Sequence, residues 1–125
     1  MGPEPVRSGE RGLVTTELAV LFPVVMVVVL LIVHTAMWAH ANAVAQAAAE
    51  HGADVAAAFG AEPDDGRLAA ERFLEVAGQV GGAIVIVTPS RTEVKVRVIG
   101  TYPGVFGRLE VRASSTSVIE RVPQP

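Results

Sequence analysis

LAVLFPVVMVVVLLIVHTAMWA, residues 18–39, contains no Lys, Arg, Asp or Glu. As a helix, this 22-residue run extends about 33 Å, enough to cross a hydrocarbon core about 30 Å thick. A buried helix of a soluble protein can be equally apolar, but a chain of 125 residues has too little protein to wrap it. The run therefore predicts a single membrane span. Arg7 and Arg11 precede it, whereas no Lys or Arg occurs between Ala39 and Gly66. Basic residues beside a span are retained in the cytoplasm, so the N-terminus is expected inside and the C-terminal part outside the cell membrane.

Outward from the span, both flanks have a distinct character. Residues 1–12, with Gly2, Pro3, Pro5 and Gly9, read as a flexible cytoplasmic leader. On the other side, His40–Ala58 is dominated by alanine, the best helix former, until Phe59, Gly60 and Pro63 stop it. One helix over 13–58 is expected, starting at about Val14, with its outer half in water and Gly52 as a weak point. Ala39, Ala43 and Ala47 recur every four residues, as do Ala48, Gly52 and Ala56, giving faces where another helix can approach closely.

A linker at 59–66 leads into a small extracytoplasmic domain, 67–121. RLAAERFLEVAG, from Arg67, predicts an amphipathic helix with Ala69, Phe73, Val76 and Ala77 on one side. Ala83–Thr88 is a β-branched run, and Glu93–Ile99 alternates Val94, Val96 and Val98 with Glu93, Lys95 and Arg97. These predict a hairpin with one wet face. Leu109–Ile119 reads as a third strand, and 122–125 as a disordered tail. The expected class is α+β and membrane-anchored: a long transmembrane helix, then one helix packed on a three-stranded antiparallel sheet. A unit of this size is marginal alone, and the absence of cysteine leaves no disulfide to reinforce it. Support must come from the long helix or from a partner.

The mouth of the span reads Arg11-Gly12-Leu13-Val14-Thr15-Thr16-Glu17-Leu18-Ala19, with Pro23 following. A glycine before an apolar segment with a lone glutamate five residues on resembles the processing site of type IV prepilins. Glu17-Leu18-Ala19 with Pro23 and a Val/Leu run is similar, more closely, to the TadE-like family of tight-adherence (Flp) pilus systems. The resemblance covers roughly Gly9 to His51. It implies a minor pilin or pseudopilin cut by a prepilin peptidase between Gly12 and Leu13, with other pilin subunits and the pilus secretion machinery as partners. A carboxylate at the hydrocarbon edge is costly and is retained where a partner offsets it. Leu13, once freed, carries a new α-amine at the depth of Glu17, so a neighbouring subunit's amine can pair with that carboxylate. Pro23, counted with the helix-packing residues, frees the carbonyl of Ala19, which in lipid needs another partner or a local bend.

Other readings compete. Ala39-His40-Ala41 and Ala41-Asn42-Ala43 both fit the small-x-small pattern of signal peptidase sites, which would release a small secreted domain, although the apolar run exceeds a signal core of about 7–15 residues. An uncut, signal-anchored binding protein of the cell envelope is the third reading. His34, His40 and His51 are not spaced to clasp a metal from one helix face, and Asp64-Asp65-Gly66 lacks the alternating oxygens of a calcium loop. No cofactor or metal is expected. With no cysteine and no histidine beyond His51 to activate Ser114, Ser115 or Ser117, the chain is read as non-enzymatic. A net charge of −3 without a basic stripe argues against nucleic acid. Tyr102 and Phe106, on a Gly/Pro-rich connection, are candidates for a partner-binding loop or a cover over one end of the sheet.

Overall fold

The computed structural model describes residue 2 and residues 8–120, with the backbone alone for 8–12. Residues 1 and 3–7 of the expected leader and the whole of the expected tail at 122–125 lie outside the described residues. Helix α1 spans Ser8–Ala57 and α2 Pro63–Ala77; strands β1 (Gly81–Pro89), β2 (Glu93–Gly104) and β3 (Gly107–Val118) follow. The strands form one antiparallel sheet in the order β1-β2-β3. The expected class stands: a long N-terminal apolar helix, then one helix and a three-stranded antiparallel sheet. Two compact units are present, Met1–Thr35 and Ala36–Pro125, so the folded unit takes in the alanine-rich part of α1 and does not begin at residue 67.

In the first unit α1 begins at Ser8 instead of about Val14, which puts Gly12 in helical backbone. Every side chain from Leu13 to Val33 is exposed. A fully exposed helix of Leu, Val, Ile and Met is stable only where the surroundings are themselves apolar, and this one is compatible with a single-pass anchor. Pro23 sits inside the helix.

The second unit is built on alanine. Ala41, Ala45, Ala48, Ala49 and Ala53 are completely buried and Ala56 and Ala57 nearly so, a stripe at helical spacing along α1. It packs with Val85, Val94, Val96, Val98 and Val111 of the sheet and with Ala70 and Leu74 of α2. The outer half of α1 therefore does not stand free in water: one face of it is core. The strict alternation of β2 is realised as expected, with Val94, Val96 and Val98 inside and Glu93, Lys95 and Arg97 outside. Each fully buried valine contributes roughly 1.5–3 kcal/mol relative to exposure.

Helix α2 corrects two expectations. It starts at Pro63, within the segment read as linker, because the start signals lie there: Glu62 N–H donates to Asp65 Oδ2 at 2.8 Å, proline stands at the first position, and Asp64 and Asp65 face the positive end of the helix. The buried stripe is Gly66, Ala70 and Leu74, not Ala69, Phe73, Val76 and Ala77; Val76 is 90% exposed. The reason is the partner surface. A Cβ built on Gly66 would lie 2.5 Å from both Ala56 Cβ and the Gly52 carbonyl oxygen, and one on Gly52 would lie 2.9 Å from Ala70 Cβ and the Gly66 carbonyl. The two helices meet backbone to backbone at this glycine pair, and only small residues fit between them. Gly78, at φ 68°, ends the helix and donates to Leu74 O at 2.9 Å.

Sheet edges need cover, because unpaired strand groups invite other chains. At the β3 edge α1 supplies it: Trp38 Nε1 donates to Glu110 O at 3.2 Å and Gln46 Nε2 to Ser114 O at 3.2 Å. Ser117 Oγ donates to Asp54 Oδ1 at 3.2 Å, and Asn42 Nδ2 to Trp38 O at 3.0 Å. Trp38, Asn42, Gln46, Glu50 and Asp54 thus form a polar ladder every four residues, beside the alanine stripe. Between β1 and β2 the register shifts from Gly81↔Thr101 to Ile84↔Ile99, a bulge that uses Gly82 at φ 57°.

Candidate functional site

The entrance of the apolar segment is where the sequence placed chemistry. Leu13 and Glu17 are one turn apart on α1, and Thr16, Val20, Leu21 and Val24 complete the same helix face around a shallow groove. The Glu17 side chain is exposed, with apolar residues one turn to either side. Among the described residues no hydrogen bond or ion pair to its carboxylate is present. In a lipid setting, a carboxylate in such a stripe would call for a cationic partner or access to the headgroup region. Pro23 follows Glu17 by six residues and removes the hydrogen bond that the Ala19 carbonyl would otherwise accept.

Gly12–Leu13 is the expected scissile bond, and its backbone is helical. A protease must draw that segment into an extended form. Apart from proline, glycine is the residue that holds a helix least, by about 1 kcal/mol relative to alanine, so opening costs little there. Of Gly12's surroundings nothing is described.

The small residues singled out for helix packing separate into two groups. Ala39 and Ala43 are exposed and Ala47 half-buried, so this face is open on the isolated chain. Gly52 is covered by α2 of the same chain, with Ala48 and Ala56, so the Ala48–Gly52–Ala56 face serves the internal fold. Tyr102 lies within β2, paired with Leu109, and is half-buried against the core. The connection is only Val105 and Phe106, shorter than the loop expected, and these are 74% and 71% exposed.

No cluster forms from the remaining polar candidates. His51 packs its ring 6.1 Å from that of Phe73, Glu50 accepts from Gln46, and Asp54 accepts from Ser117. Among the described residues no group of three or more His, Cys, Asp or Glu is placed to hold a metal. Arg67 bridges Asp64 at 3.3 Å and Glu71 at 3.1 Å, and these carboxylates, Asp64 foremost, raise its pKa above the ordinary arginine value. The ladder on α1 and the glycine pair were missed in the sequence. Their signals were present, as polar residues every four positions in an alanine-rich helix and as a glycine in the first turn of α2.

Residues 12–54 match the family model of TadE-like proteins, the region in which the resemblance was read. The match covers about a third of the chain and runs from the candidate cleavage site to the last rung of the polar ladder. No curated protein and no solved structure matches the chain.

Proposed function

We propose that this chain is a minor pilin or pseudopilin that acts in assembly of a tight-adherence pilus, inserted with its N-terminus in the cytoplasm and cut by a prepilin peptidase between Gly12 and Leu13. The observation that carries the reading is Glu17, a carboxylate on an exposed apolar helix face one turn from Leu13, inside the segment that matches the TadE-like family. After cleavage the Leu13 α-amine of one subunit pairs with Glu17 of its neighbour, offsetting two charges at the hydrocarbon edge. The open Ala39–Ala43–Ala47 face then allows close lateral packing of helices. The domain beyond Ala36 is carried outside the membrane. Release as a secreted domain is the weaker reading, since a cut after Ala41 would part Trp38 from its acceptor in β3 and take Ala41 out of the core.

N-terminal sequencing of protein recovered from producing cells tests the reading. A mature chain beginning at Leu13 is expected, lost on bulky substitution of Gly12. A start at Asn42 or Val44 would mean secretion, and an intact leader an uncut anchor. Glu17→Ala is expected to leave cleavage intact and abolish assembly; fibres formed normally by that variant would rule out the pairing.

A further inference from the structure

The ladder between α1 and β3 fixes a direction. Trp38 meets Glu110 and Gln46 meets Ser114. Eight helical residues rise about 12 Å and four strand residues about 13 Å, so helix and strand run side by side in the same sense. Followed back from Glu110, β3 therefore leads past Trp38 toward the end of the domain at which the chain enters, Ala36. The β2–β3 turn lies four residues further, about 13 Å beyond the Trp38 contact. At its tip Val105 and Phe106 are exposed, and Arg108 beside them is exposed too. Trp38 and Ala39 are the last residues of the apolar run, and tryptophan is a residue of the membrane–water interface.

We propose that the β2–β3 turn is a second membrane contact, in which Val105 and Phe106 enter the headgroup and acyl boundary of the outer leaflet and Arg108 meets lipid phosphate. This rests on the reading of residues 18–39 as a span. The occupant follows from continuity: the tip lies beyond Trp38, at the end of the domain where the apolar run enters it, and an apolar pair with a flanking arginine suits a boundary where acyl chains give way to phosphate.

The chain has no cysteine, so single-cysteine variants can be labelled cleanly. Phe106→Cys, Val105→Cys, Thr92→Cys in the opposite hairpin and Val28→Cys in the span would each carry an environment-sensitive fluorophore, in full-length protein reconstituted into phosphatidylcholine–phosphatidylglycerol vesicles. The expected result is blue-shifted emission with quenching by brominated acyl chains at 28, 105 and 106, and neither at 92. Quenching at 28 but at neither 105 nor 106 would overturn the proposal and leave the span standing. No quenching at 28 would remove the span and the proposal with it. Equal quenching at 92 would show the whole domain lying on the bilayer, against a foot confined to this turn.

Discussion

Gly66→Ala sets two effects of known size against each other. In an ordinary helix the change would stabilise by about 1 kcal/mol, since alanine is the better helix former. Here the new methyl would lie 2.5 Å from Ala56 Cβ and 2.5 Å from the Gly52 carbonyl oxygen. Carbon atoms rest at about 3.5–4.0 Å, so α2 must retreat by about 1 Å along that line. Neither obstacle can swing aside, as one is a methyl fixed to the helix and the other is backbone. Retreat loosens Ala70 and Leu74, the other buried residues of α2. Overpacking of this kind costs about 1–3 kcal/mol, and the upper half of that range applies where both neighbours are rigid. The net expectation is a loss of about 1–2 kcal/mol. For a domain of this size the melting temperature then falls by roughly 4–16 °C. Thermal unfolding of the full chain in detergent, followed by circular dichroism of the sheet, would read it. An unchanged or raised Tm would refute the backbone-to-backbone packing of α1 and α2, and Ala56→Gly in the same chain should restore only part of the loss.

Val76→Ser is expected to leave stability within about 0.5 kcal/mol of the parent, since the side chain is 90% exposed; a large loss in denaturant unfolding would return Val76 to the core. Val96→Ala empties the centre of the sheet's inner face and should cost about 2 kcal/mol or more in the same measurement, because Val96 is fully buried. Trp38→Phe removes the donor to Glu110 O, and is expected to cost about 1 kcal/mol and to speed amide exchange along β3 selectively; uniform exchange across the sheet would argue against edge protection by α1.

The long apolar helix, the hairpin and the third strand were legible because each leaves a run or a period in the sequence. Val94, Val96 and Val98 alternate with charges, and no other arrangement hides the valines and wets Lys95 and Arg97. The packing face of α2 was not legible by the same rule. Counting large apolar residues selects Phe73 and Val76, but the surface they would have to meet is alanine and glycine on α1, and tight helix contact rewards the absence of side chain. A glycine in a first turn reads as a linker when α1 is assumed to end in solvent. The Ala48–Gly52–Ala56 face likewise reads as one open to another helix, because nothing local to residues 40–57 announces that α2 and a sheet some fifty residues later return to cover that part of α1. At the candidate site, Glu17 stands out in the sequence as a lone carboxylate at the edge of an apolar run, whereas the Gly12–Leu13 bond is singled out only through the resemblance to type IV prepilins and TadE-like proteins. Tyr102 and Phe106 were separated only by the register of β2 and β3, which puts one in a strand and the other on a two-residue turn.

The core is nearly without aromatic rings, and the chain has one tryptophan. That residue joins the alanine helix to the covered strand edge through a single bond to Glu110. Its emission is therefore a built-in gauge: excitation of the unlabelled protein reports, from one indole, whether sheet and helix are engaged. In purified protein reconstituted into lipid vesicles, docking, release and refolding of the domain can be timed without adding a probe.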